Sequence, residues 1–172
     1  MDLKYDGLIG RQFQHGKTDC YDLIRTFYEM NFGLKLRNYA RPDDWWDLGF
    51  DLYREAFHDE GFRVLNCHPS EYQIGDVFLM AVRSTTANHA GVLVENNKIL
   101  HHLWGRRSLI EPYRGLTRNT TLMVLRHKDI VIEKNHEKID VMEYLPDAVR
   151  QKIAAALLRG GSGESGADTE HS

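Results

Sequence analysis

An α+β fold is what the sequence predicts, on three observations. Apolar residues near the N-terminus recur at helical spacing, the stretch from 62 to 127 breaks into short β-rich runs, and the helices precede the strands instead of alternating with them. A chain of 172 residues has room for one domain with a real core plus short appendages.

The first helix is predicted from the spacing of Cys20, Leu23, Ile24, Phe27 and Tyr28, which lie on one helical face, with Asp19 or Thr18 as its cap. A second is expected from Asp43 or Asp44, after Pro42, with Trp45, Leu48, Leu52, Tyr53, Ala56 and Phe57 on its apolar face and Gly61 ending it. Trp46 falls off that stripe and either lines a groove or lies half-exposed. The β-rich runs are "FRVLNC" (62–67), "DVFLMAV" (76–82), "HAGVLVE" (89–95), "KILHHLW" (98–104) and "TLMVLRH" (121–127). The compact domain is expected to span 1–129. Residues 130–159 read as a polar linker, containing "EKNHEKID", and a helix in "LPDAVRQKIAAALLRG". Pro146 lies near its first turn, Val149, Ile153 and Leu157 form a stripe, and Gly160 stops it. The glycine- and serine-rich end, 160–172, is expected to be flexible.

Composition narrows the function. A net charge of −3 gives no basic field for nucleic acid, and no apolar run approaches the ~18 residues of a membrane span. "MDLKYDGLIGRQFQHG" lacks the apolar region of a signal peptide, so folding in a cytoplasm is expected. Two distant cysteines signal neither a disulfide framework nor a CxxC zinc site.

In "GKTDCYDLI", Cys20 stands where a helix begins, beside backbone N–H groups with no intrahelical acceptor and at the positive end of the helix dipole. Both favour a thiolate, and make Cys20 the expected reactive thiol. Its own N–H is free to hold an oxyanion. Burial as a small apolar side chain is the alternative, and Cys67, with no helix start or base nearby, is read as structural. A base is available in "NHAGVLVENNKILHHLW". If Asn96-Asn97 is a strict two-residue turn, Glu95 pairs with Lys98, and His102 shares the face of His89. A bulge or longer loop brings His101 there instead. Zinc held by His89, His101 and His102 is a separate possibility, but the spacing is not that of a compact helical motif and no carboxylate clearly completes it. "GRRS" (105–108) reads as a solvated turn or as an orienter of acidic peptide groups.

"GxxDC" at a helix start, the "GD" of Gly75 and Asp76, "HAG", and a histidine twelve residues after His89 together resemble the NlpC-type family of cell-wall peptidases, a papain-like cysteine hydrolase group. The resemblance covers residues 7 to 127. It implies a papain-like fold with Cys20 as nucleophile, His89 as base and His101 as the residue that orients it. "GKTDCYDLI", "DDWW", "NHAG" and "ILHHLWGR" further resemble the NlpC-like domain of tail-tip assembly proteins of long-tailed phages. That likeness implies amide hydrolysis in peptidoglycan peptides during tail assembly or wall penetration, tail-tip proteins as partners, and a place in the virion tail after assembly in the host cytoplasm. No metal or organic cofactor is implied. A mainly structural tail-tip subunit with little turnover is the rival expectation. The sequence departs from the cell-wall enzymes at Phe13, where they carry a tyrosine hydroxyl, and in "DCYD", where they have "DCSG".

Overall fold

The computed structural model describes residues 2–130 and 146–160. They divide between two compact units, 2–130 in the first and 146–160 in the second. In the first, helices α1 (Cys20–Phe32) and α2 (Leu52–Asp59) are followed by strands β1 (Phe62–Val64), β2 (Val77–Met80), β3 (His89–Glu95), β4 (Lys98–His101) and β5 (Leu109–Pro112), the short helix α3 (Leu116–Thr120) and strand β6 (Thr121–His127). A single antiparallel sheet has the order β1-β6-β2-β3-β4-β5, so the fold is α+β.

Asp19 caps α1 by accepting from the Asp22 N–H, and Gly33 closes it at φ 68°, a left-handed conformation that costs glycine little. Leu23, Ile24, Phe27 and Tyr28 on its apolar face are fully buried. Each contributes about 1.5–3 kcal/mol by leaving water. The helix packs across β3 and β4. Period-two alternation sorts the sheet into two faces: Ala90, Val92, Val94 and Leu100 join the core containing α1, while Phe78, Met80, Leu93 and Ile99 form a second cluster.

The second helix starts later than its spacing suggests. Residues 43–49 are turns, with Asp44 at φ 54° and Gly49 at φ 80°, and the helix begins at Leu52. Trp45 still reaches the core from this turn, but Leu48 is 72% exposed instead of lying on an apolar face. Two elements escaped prediction, β5 and α3. In the second unit, helix α4 spans Asp147–Gly160, and the Pro146 carbonyl accepts from the Val149 and Arg150 N–H groups. Most of the expected linker, 131–145, and residues 161–172 lie outside the described residues.

Candidate active site

The N-terminus of α1 is held by a buried ion pair. Asp19 and Arg41 side chains are each 1% exposed, with Arg41 Nε donating to Asp19 Oδ2 at 2.6 Å. The same carboxylate accepts from Gly16 N at 2.9 Å and Asp22 N at 3.0 Å, while Arg41 also donates to Asn38 Oδ1 and the Tyr39 carbonyl. One carboxylate therefore fixes the turn before the helix, the helix start and the 38–41 loop together. Removing one partner of such a pair costs about 3–5 kcal/mol, because a buried charge is left unmatched.

Cys20 is the first residue of α1 and is 3% exposed. Its sulfur lies 3.2 Å from the Tyr53 hydroxyl. Burial, and then the neighbouring charge of Asp19, push the thiol up to about 12, against the downward pull of hydrogen bonds from Tyr53 and the Ala90 backbone and of the Arg41 charge. The expectation of a thiolate left this desolvation out, and burial favours the neutral thiol.

The histidines are sorted by an irregularity in the hairpin. Glu95 pairs with Lys98, as a two-residue turn requires, and Asn97 takes the left-handed conformation at φ 57°. The next pair is Leu93 with Ile99, so Val94 is an extra residue on β3. Gly91 then faces His101, and His89, two residues earlier, shares that side of the strand. His89 Nε2 and His101 Nδ1 are 3.0 Å apart. Gly91 keeps the space open: a Cβ there would lie 3.1 Å from His101 Cβ and 3.2 Å from Ile99 Cδ1. His102 points elsewhere, with Nε2 3.1 Å from the Arg106 carbonyl and its ring edge-on to Phe13.

Glu111 on β5 pairs with Ile99 while Leu109 pairs with His101, so Glu111 is the diagonal neighbour of His101 on one face. Its Oε1 is 3.1 Å from His101 Nε2. The carboxylate is close to the ring nitrogen and opposes the loss of a proton from His101. Burial lowers the His89 imidazole well below its ordinary 6.5, helped by the neighbouring imidazoles. Burial also lowers His101, opposed by Glu111.

Cys20 and His89 line one cleft of about 510 Å³, with Phe13, His15, Trp46 and Trp104 on its aromatic wall and Arg83 and Arg106 supplying positive charge. Trp46 is thus a groove residue, and Arg106 brings one cation of "GRRS" to the cleft. A larger hollow of about 700 Å³, lined by Tyr72, Phe78 and Tyr113 among others, contains neither cysteine nor histidine. The cleft is the site with reactive chemistry. No group of three or more His, Cys, Asp or Glu side chains among the described residues is placed to hold a metal ion. Sequence reasoning missed two polar groups here. Tyr53 was read only as part of an apolar stripe, and Glu111 sits on a strand that gave no periodic signal.

The sequence pattern of the NlpC/P60 family matches residues 10–126, which includes Cys20, His89, His101 and Glu111. The chain belongs to the NlpC/P60 family. It is 34% identical over 125 residues to the tail tip assembly protein K of Escherichia phage N15, covering 72% of this chain and 50% of that protein. It is 35% identical over 121 residues to the tail tip assembly protein K of Escherichia phage lambda, covering 70% of this chain and 59% of that protein. The matched stretch thus spans only half to three-fifths of these relatives. A solved structure of a lipoprotein-like NLP/P60 family protein from Staphylococcus aureus is matched over 68% of this chain and 36% of that one, at 17% identity and a TM-score of 0.45.

Proposed function

We propose that this chain carries a cysteine peptidase domain that hydrolyses amide bonds of peptidoglycan peptides as part of a phage tail tip. The observation that carries the chemistry is the 3.0 Å contact between His89 and His101 beside the cleft that also holds Cys20. A carboxylate only accepts hydrogen bonds, so Glu111 favours the His101 tautomer with its proton on Nε2. His101 Nδ1 then accepts from His89 Nε2–H, leaving His89 Nδ1 as a free base for Cys20.

With both groups neutral at rest, attack is coupled to proton transfer. The Cys20 proton passes to His89 as the sulfur bonds the carbonyl carbon, and the Cys20 N–H helps hold the oxyanion. His89 returns that proton to the leaving amine as the C–N bond breaks. It then takes a proton from the water that hydrolyses the thioester and passes it to the Cys20 sulfur as the S–C bond breaks and the carboxylic product leaves. His101 orients His89 and stabilises the imidazolium. Arg83 and Arg106 suit a peptide bearing carboxylates.

The tail setting is supported by the names of the N15 and lambda relatives. On this reading the protein sits in the virion tail and is assembled in the host cytoplasm with other tail-tip proteins. One observation favours a second reading, a mainly structural assembly subunit: Cys20 is 3% exposed, with its thiol held neutral. Digestion of purified peptidoglycan beside a Cys20→Ala control separates the two. New amine and carboxyl ends released only by the parent protein support the peptidase; none, from free protein or purified tails, would leave the structural reading.

A further inference from the structure

We infer that Tyr53 is a catalytic residue: its hydroxyl is the side-chain hydrogen-bond donor to the negative charge that forms at Cys20 during reaction. This rests on the hydrolase reading and adds a group to the same site. Tyr53 Oη is 3.2 Å from Cys20 Sγ, both residues are 3% exposed, and both line the cleft.

The hydroxyl is placed by packing. Tyr53 is the second residue of α2, its ring stacks on Tyr21 at 6.0 Å with planes 12° apart, and Trp45 meets it edge-on at 5.0 Å. A buried tyrosine O–H ordinarily finds an oxygen acceptor. Here the partner is sulfur, a weak acceptor as a thiol and a strong one as a thiolate. The contact therefore strengthens when charge reaches the sulfur, which makes it selective for the reacting state over the resting one. Burial, with the nearby Cys20 and Asp19, holds the Tyr53 phenol well above 10, so it stays protonated and donates without giving up its proton. Phe13, on the same cleft, has no hydroxyl to offer.

The step balances without any other reactant. The proton on sulfur moves to His89, the sulfur pair forms the S–C bond, the carbonyl π pair moves to oxygen, and Tyr53 keeps its hydrogen. As the sulfur charge is spent in that bond, the hydroxyl is left beside the new oxyanion.

The test is the rate of Cys20 alkylation by iodoacetamide against pH, in a Cys67→Ala background. Tyr53→Phe keeps the ring and removes only the donor. It should slow alkylation at neutral pH about ten- to a hundred-fold, the loss of one hydrogen bond to a charged group. Site-specific 3-fluorotyrosine at position 53 has a more acidic phenol and should quicken it, which tests the idea even if Tyr53→Phe folds poorly. On peptide substrate the Phe variant should lose kcat with KM retained. Unchanged or faster alkylation in folded Tyr53→Phe, or no quickening with the fluorinated residue, would overturn the assignment. Absence of turnover by the parent protein would remove the hydrolase reading alone, since alkylation reports on the sulfur without any substrate.

Discussion

Glu111 Oε1 stands 3.1 Å from His101 Nε2, while the other nitrogen of that ring, Nδ1, is 3.0 Å from His89. His101 is thus held between a carboxylate and a second imidazole, and on the proposed mechanism Glu111 favours the tautomer with the proton on Nε2. Glu111→Leu should lower kcat about tenfold or more with KM little changed. Its ¹⁵N spectrum should show His101 in mixed tautomers. A variant with wild-type kcat and one His101 tautomer would remove Glu111 from the positioning role.

His101 and His102 should differ sharply in their effect on turnover. His101→Ala removes the partner of His89 and is expected to cost about 10²–10⁴ in kcat. His102→Ala removes a hydrogen bond to the Arg106 carbonyl and a contact with Phe13, and should cost far less. A larger loss from His102→Ala would contradict the assignment.

Cys67 should be alkylated before Cys20 in the free protein at pH 7. Burial pushes its thiol up to about 12 and encloses the sulfur, whereas Cys67 is half-buried. Peptide mapping after brief iodoacetamide treatment measures the order. Prior modification of Cys20 would show that the helix dipole and His89 overcome desolvation.

Acid should destabilise the fold below pH 6.5. His89 is buried and neutral when folded, with its imidazole held well below 6.5, but titrates near 6.5 once unfolded. Between those values the unfolded chain binds more protons, so stability falls as pH falls, by at most about 1.4 kcal/mol per pH unit for this histidine. Above 6.5 its contribution is fully present. Urea midpoints at a series of pH values should decline through this window, and His89→Gln should flatten the decline. Parallel profiles for the two proteins would refute this origin.

Gly91→Ala should damage chemistry more than folding. The added methyl would lie 3.1 Å from His101 Cβ and displace the ring from His89. A fall of about tenfold or more in kcat with only a small loss of thermal stability is expected. Unchanged kcat in this variant would show that Gly91 does not govern the ring position.

The helix and strand periods made much of the fold legible: β3 and β6 occupy the runs 89–95 and 121–127, and α1 buries the stripe that predicted it. The second helix was read too early because Trp45 and Leu48 mimic helical spacing across a turn whose backbone reverses at Asp44 and Gly49. Strand β5 carried no usable signal, being four residues at the sheet edge and ending in Pro112, and Glu111 was hidden with it. The helix start at Cys20 could be read from Asp19, but its desolvation depends on Tyr53 and the strand bearing Ala90, both distant in sequence. Hairpin parity could not be read because Val94 adds a residue without leaving a mark in composition.

That extra residue makes the hairpin sensitive to a change no substitution table records. Loss of Val94 alone would leave Leu93 paired with Ile99 and Gly91 opposite His101, whereas a slip that irons out the bulge with every residue kept would bring His102, with its different neighbours, to the place opposite Gly91 that His101 now occupies. The amino-acid inventory of the cleft would hardly alter, yet its proton path would be rewired. The bulge in the β3–β4 hairpin is as informative about the chemistry here as the histidines themselves.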